Sequence, residues 1–294
     1  MSTLVAATLE PSRLARARRW ARLNPSLAFG AVAVSLIVLV AVFAPLLAPN
    51  PADAGNATHP FVVLQGPSWS HWFGTDQVGR DILTRVMYGA RVSPLIAVAV
   101  LAVAAVVGVP LGLVAGFFGG VIDDIIMRIT DVFLAVPALL LALALVTVLS
   151  PTMTSTIVAI SVSWWPWYAR LVRGEAASIR ERRFIESAHA LGIPRWRILL
   201  RHVLPNAVTP VLVQLSLDFG SVILTASALS FLGLGVQDPV PDWGLMVSEG
   251  QIYFTTNWWL VTFPGLAILF CAFAFNILGD GLRDRFDPRQ GLGR

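Results

Sequence analysis

The sequence predicts an all-α polytopic membrane protein with six transmembrane helices. Three observations carry that prediction. Of 294 residues, 56% are hydrophobic and 13% charged, with a mean hydropathy of +0.74, whereas soluble domains run near a quarter charged. The apolar residues gather into six runs, each close to the ~20 residues that cross about 30 Å of hydrocarbon. All 21 cations are arginine, and they fall unevenly between those runs. The same composition excludes disorder, and a lone Cys271 excludes an intrachain disulfide framework. With no lysine there is no P-loop and no Schiff base, so any ATP used is hydrolysed by another chain.

The first run, residues 27–48, follows Arg13, Arg16, Arg18, Arg19 and Arg22. That flank is signal-like, but the run exceeds a signal core of roughly 7–15 residues and no A-x-A site closes it. An uncleaved signal-anchor helix is expected. Residues 95–118 form the second run. Runs 132–149 and 153–169 are short and lie close around Pro151, which reads as a helical hairpin. Run 207–234 is long enough to tilt or to break at its glycines, and 258–278 is the sixth.

Eighteen arginines lie on one side of these runs and three, Arg80, Arg85 and Arg91, on the other. Positive charge marks the cytoplasmic side. Six spans then leave both tails, 1–26 and 281–294, in the cytoplasm. Trp72, Trp243, Trp258 and Trp259 fall near outer span ends, where indoles favour the interface or pack within loops.

Two connections exceed simple turns. The external one, 49–93, carries Phe73-Gly74-Thr75-Asp76 and Gly79-Arg80-Asp81. Gly74 and Gly79 bracket a turn, and Asp76 is placed to cap the segment after it. Ile82, Leu83, Val86 and Met87 recur at helical spacing, with Asp81 and Arg85 as an i,i+4 pair. This predicts an amphipathic helix along the outer face that runs into the second span. In the cytoplasmic connection, 172–206, residues 181–191 read as one helix closed by a left-handed Gly192. Pro194 suits the first turn of a second helix over 195–203, stopping before Pro205. Two short arginine-studded helices clear of the bilayer make a docking element; a basic loop on anionic headgroups is the alternative.

These residues also carry a resemblance. Glu186-Ser187-Ala188-x3-Gly192, then nine residues, then His202-Val203-Leu204-Pro205, resembles the EAA loop of bacterial ABC importer permeases, E-A-A-x3-G-x9-I-x-L-P; Ser187 and His202 depart from it. Three further segments are similar to the C-type subunit of the peptide/nickel permeases. They are Gly74-Thr75-Asp76-x2-Gly79-Arg80-Asp81 through Tyr88-Gly89-Ala90-Arg91, then Asp124-x3-Arg128-x2-Asp131 followed by Pro137, then Leu229 to Gly235 followed by Pro241-x-Trp243-Gly244. Together they cover residues 27–288. Where relatives commonly carry a glutamate before the last segment, this chain has Ala226.

The resemblance implies a type I ABC importer permease (MetI-like) fold, with its transmembrane core over 94–280, in the bacterial cytoplasmic membrane. It implies a second homologous permease, two ATP-binding-cassette ATPase domains docked on Glu186, Ser187, Ala188, Gly192, Pro194 and Pro205, and an external binding protein. That protein would deliver di- or oligopeptides, nickel chelates or related small solutes. It implies no catalytic residue, metal or cofactor on this chain, with ATP-Mg on the partner subunits, and no nucleic-acid partner.

Within the spans, Asp218 is the one carboxylate at depth, sharing a helix face with Gln214. It faces the translocation pathway or bonds to another helix or a partner subunit. Asp124, Arg128 and Asp131 share a face and read as an ion-pair cluster at the inner edge. Trp164, Trp165, Trp167 and Tyr168 surround Pro166, a cluster read as dense helix packing or as a closure of the pathway. His59, His71, His189 and His202 lack metal-ligand spacing. Two other functions compete. An autonomous secondary transporter or channel would show inverted repeats, and none is convincing here. A membrane enzyme would need a catalytic constellation that the sequence lacks.

Overall fold

In a computed structural model, which describes residues 24–286, the chain is helical, with one isolated bridge between Thr75 and Asp81. The expectations for 1–23 and 287–294 lie outside the described residues. The helices are α1 (Pro25–Leu47), α2 (Ile82–Phe118), α3 (Gly120–Leu134), α4 (Ala138–Val148), α5 (Met153–Arg180), α6 (Arg183–Ala190), α7 (Arg195–Phe231), α8 (Trp243–Gly250) and α9 (Trp259–Phe286).

The six-span expectation needs correction. Among the described residues α1, α2, α7 and α9 are long and apolar enough to cross a membrane. The pair α3 and α4, bent by 83°, makes a fifth if it is one span. The run 132–149 is not one helix, because Pro137 cannot donate a backbone hydrogen bond and disfavours helical backbone at Val136. The 11-residue α4 that remains rises only about 16 Å and cannot cross alone. The run 153–169 lies within α5, which has the length but carries Ser, Thr, Trp and Pro in place of aliphatics. This helix is enclosed by its neighbours: Ala159, Ile160, Tyr168, Ala169, Val172 and Ala176 are all fully buried. A helix that touches protein on most sides does not need a lipid-like surface.

The closest helix pair is α2 with α5. Gly108, Gly112 and Gly116 recur every fourth residue along α2 and form a smooth stripe. A Cβ on them would lie 2.5 Å from the Trp165 carbonyl oxygen, 2.4 Å from that of Ala169 and 2.3 Å from that of Arg173. Only glycine lets the two backbones approach this far, the small-xxx-small mode of helix association in lipid. The same device recurs where Gly30 of α1 meets the backbone of Leu278 on α9, and where Gly279 meets that of Leu217 on α7.

The connection 49–93 folds into a cap over one set of helix ends. Asp81, not Asp76, is the N-cap of α2, accepting from the Thr84 N–H at 2.8 Å. Asp76 instead closes the turn 76–80, accepting from the N–H of Val78 (2.9 Å) and of Arg80 (2.8 Å), and from Arg80 Nε at 2.6 Å. Arg80 Nη1 reaches Asp238 at 2.8 Å, in the loop after α7. Burial opposes the charge on Arg80, yet Asp76 and Asp238 hold its pKa above the ordinary value. The expected Asp81–Arg85 pair does not form. The Asp81 carboxylate is occupied by the cap and by His71 at 3.1 Å, and Arg85 turns to Asp238 at 3.5 Å. Nor is the amphipathic helix a separate element, since residues 82–93 are the first turns of the 37-residue α2.

Glycine is required twice in this cap. Gly74 and Gly79 sit at φ +78° and +87°, and a Cβ on Gly79 would lie 2.2 Å from the His59 carbonyl oxygen. Of the four tryptophans near span ends, two take the loop-packing alternative and act as cap struts. Buried Trp243 donates to the Val86 carbonyl at 2.9 Å, and buried Trp259 donates to that of Thr75 at 3.3 Å. Trp72 and Trp258 are exposed.

The glycine stripe yields a matched pair of substitutions. Gly112→Ala forces a Cβ onto an α5 carbonyl and should cost about 1–3 kcal/mol by overpacking. Gly174→Ala, on exposed α5 backbone with nothing within 4 Å, should instead gain about 0.5–1 kcal/mol of helix stability. Thermal unfolding of the purified protein checks both, and midpoints that move the same way would contradict the close approach.

Candidate functional site

Pro166 does not break α5, and the aromatic segment around it is divided by helix geometry. Trp165 and Tyr168 point into the protein, with Trp165 edge-on to Phe133 at 5.4 Å between ring centroids. Trp164 and Trp167 line a cavity of about 610 Å³ with Arg170, Gln214 and Asp218. Dense helix packing, one of the two sequence interpretations, describes Trp165 and Tyr168.

Asp218 and Gln214 share a face of α7, as their spacing predicts. Gln214 Nε2 donates to Asp218 Oδ1 at 2.8 Å, and the Tyr168 hydroxyl donates to Asp218 Oδ2 at 2.8 Å. The carboxylate thus both lines a cavity and bonds to a neighbouring helix of its own chain. Tyr168 as its partner is absent from the sequence argument, because 50 residues separate the two and only the α5–α7 contact brings them together. An adjoining cavity of about 520 Å³ shares Leu171 and Gln214 with the first and reaches Glu175 and Arg283.

The charged residues at the inner edge pair differently from expectation. Asp131 bonds to Arg170 on α5 rather than to Arg128. Asp123 accepts from Arg173 Nε at 3.0 Å. Among the described residues no ion pair joins Arg128 to Asp124 or Asp131. The i,i+4 spacing permitted a pair within α3, but α5 lies alongside and its arginines reach the aspartates first. Glycine packing against α2 sets α5 in that position.

The connection 172–206 has a sharper form than its sequence suggests. The predicted helix 181–191 is α6, and α5 continues unbroken to Arg180 before it. Ile185 and Ala188 are buried while Glu186 and Ser187 are exposed, so Glu186 faces outward on a helix held from below. Ser187 turns its hydroxyl back onto the Arg183 carbonyl at 3.0 Å. Gly192 takes φ +76°, with Ile193 N–H bonded to Ala188 O at 3.2 Å and Gly192 N–H to His189 O at 3.0 Å. Those two bonds are a Schellman closure, and they satisfy carbonyls the helix end would leave open. Gly233 closes α7 in the same way, at φ +77°.

Pro194 is the N-cap of α7 rather than its first helical residue. The expected stop before Pro205 does not occur. Residues Leu199–Val203 widen into a π-helical turn in which the Leu204 N–H bonds to the Leu199 carbonyl. Pro205 has no N–H, and its ring would strike the carbonyl four residues back in a regular helix. The wider turn shifts the register just before it, and the helix continues as α7. One helical stretch therefore runs from Pro194 beside Gly192 to Asp218 in the cavity and on to Phe231.

Residues 108–291 match the family described as binding-protein-dependent transport system inner membrane component. The dipeptide transport system permease protein DppC of Alkalihalophilus pseudofirmus is 45% identical over 261 residues, 89% of this chain and 85% of that protein. The di/tripeptide transport system permease protein DppC of Pseudomonas aeruginosa is 41% identical, covering 88% of this chain and 87% of its own. The glutathione transport system permease protein GsiD of Pectobacterium atrosepticum is 41% identical, with 92% and 89% covered. Among solved structures, the MetNI methionine ABC transporter in inward-facing conformations aligns with a TM-score of 0.55 at 15% identity, over 69% of this chain and 97% of that one. That likeness shows a shared MetI-like fold.

No atom lies within 4 Å of a Cβ added to Gly192, so the only cost of Gly192→Ala is left-handed backbone, about 1–2 kcal/mol. Amide exchange at Gly192 and Ile193 should quicken by about 5–30-fold, with membrane insertion unchanged. Exchange at the wild-type rate would mean that the closure does not depend on glycine.

Proposed function

The chain belongs to the binding-protein-dependent transport system inner membrane components, and on that premise we propose that it is a transmembrane permease subunit of an ATP-binding-cassette importer for di- and oligopeptides. The observation that carries the proposal is the continuity of α7, which joins an exposed loop at one end to an open cavity lined by Gln214, Asp218 and two tryptophans at the other. A loop that only lay on lipid headgroups would not need a Schellman-closed helix with its acid facing outward. A solitary channel would not need the loop at all. Peptide cargo is supported by the relatives, which are named for dipeptides, di- and tripeptides, and glutathione.

In this proposal a second, homologous permease completes the pathway, and two ATPase domains dock on 172–206 from the cytoplasm. A binding protein delivers cargo to the outer face, where 49–93 lies. The arginine asymmetry supports that orientation, with both termini inside. ATP-driven closure of the ATPases moves α6, and α7 transmits the movement as a rigid rod to Asp218 and Gln214, exposing the cavity to alternate sides. Energy enters only through partner subunits, consistent with a chain that has no lysine for a P-loop. Glu186 supplies an outward carboxylate for a cation on the ATPase, a pair strengthened where docking excludes water.

Glu186→Arg should leave the chain inserted and abundant but lower co-purified ATPase by about tenfold or more, since a desolvated pair becomes a repulsion. Wild-type recovery of ATPase would remove the docking role.

Topology is checked separately. With Ala190→Cys on a Cys271→Ala background, an impermeant thiol reagent should label the protein in inverted vesicles and not in intact cells. Labelling of intact cells would reverse the orientation.

A further inference from the structure

Asp218 is a carboxylate without a counter-charge. Its two hydrogen-bond donors, the Tyr168 hydroxyl and the Gln214 amide, are both neutral. Among the described residues it forms no ion pair, although Arg170 lines the same cavity. Arg170 pairs with Asp131 on α3 in this structure, and Asp218 has no such charged partner among the described residues. Each Asp218 oxygen accepts one bond from the protein and keeps capacity for another. The residue is only half-buried, and its open side faces the cavity.

A carboxylate in this position is costly unless something cationic comes to it. The rest of the lining suits such a visitor. Trp164 and Trp167 present aromatic rings, which attract cations over their faces and cover apolar side chains. About 610 Å³ lies in the range of sites that enclose small organic ligands.

We propose that Asp218 receives the protonated amino group of the cargo, with Tyr168 and Gln214 fixing the carboxylate and Trp164 and Trp167 flanking the rest of the molecule. This rests on the permease function proposed above and adds a chemical requirement to it. The pathway itself, independently of the binding protein, selects cargo with a free amine.

The test uses the assembled permease–ATPase complex without its binding protein. Equilibrium binding is measured for a radiolabelled dipeptide, its N-acetylated form and its C-terminal amide. The free dipeptide and the amide should bind at least about tenfold tighter than the acetylated form, the scale of losing one partner of a partly desolvated pair. Asp218→Asn should erase that difference, and Asp218→Glu should retain it. Equal binding of the acetylated and free peptides overturns the proposal, as does a preference that survives Asp218→Asn, or no binding by any of the three. Binding of both forms that rises equally with potassium chloride also overturns it, assigning the carboxylate to an inorganic cation. The wild-type comparison needs no variant, so failure of Asp218→Asn to assemble leaves the test intact. ATP-driven uptake of the free dipeptide, with binding protein present, is run in parallel. Absence of uptake would defeat the permease function itself, whereas uptake without amine preference in the binding assay would defeat only the Asp218 site.

Discussion

Backbone contact between α2 and α5 is the constraint on which the rest of the molecule depends. Three glycines at four-residue spacing remove every side chain from one stripe of α2, and the carbonyls of Trp165, Ala169 and Arg173 fill the space. In lipid there is little hydrophobic gain from pairing two helices, so close van der Waals packing must supply the association. The contact also sets the rotation of α5 to within a fraction of a turn. With one face against the glycines, Tyr168 meets Asp218 on α7, Arg170 and Arg173 meet the aspartates of α3, and Trp164 and Trp167 are left to line the cavity. A single packing decision thus distributes an otherwise ambiguous run of aromatic and basic residues among structural and functional roles.

The cap obeys a different rule. It places Asp53, Asp76, Arg80, Asp81 and Arg85 almost wholly out of water, where unpaired charge is costly. Most of this polar capacity is satisfied within the cap, by opposite charges and by backbone, the buried Arg85 Nη1 excepted. Asp53 accepts from the Asp81 N–H at 2.8 Å and pairs with His59 at 2.8 Å, and Asp76 holds its own turn and Arg80. Gly74, Thr75, Asp76, Gly79, Arg80 and Asp81 therefore act as an architectural unit, which ties the start of α2 to the loop after α7 through Asp238. Its charged side chains are almost wholly buried.

Between Gly192 and the cavity, the π-helical turn at Leu199–Val203 resolves a conflict between Pro205 and helix continuity. A break there would have made α6 and the start of α7 a flexible appendage. A register shift keeps one rod from Pro194 to Phe231, and a rod transmits displacement where a hinge would absorb it. The Gly192 closure fixes the other side of the same junction.

Much of this was legible in the residues. The apolar runs, the arginine asymmetry, the left-handed Gly192, the Gln214–Asp218 face and the family are all set by local pattern, because hydropathy, φ preference and i,i+4 spacing are properties of short stretches of chain. The sequence misled where distant segments compete for the same group. Asp131 chose Arg170 over Arg128, and Asp81 gave up Arg85 for a cap and a histidine. For Trp243 and Trp259 the choice between interface and loop packing was settled by the carbonyls of Val86 and Thr75. The span count failed for a related reason. Pro137 broke one apolar run, and α5 is not apolar by composition because protein, not lipid, surrounds it. What the sequence by itself determined was which segments enter the membrane environment and which turns close them. Which charges meet, and which carboxylate is left facing a cavity without a counter-charge, was decided only when glycine packing set the helices side by side, since that choice depends on distances no local pattern contains.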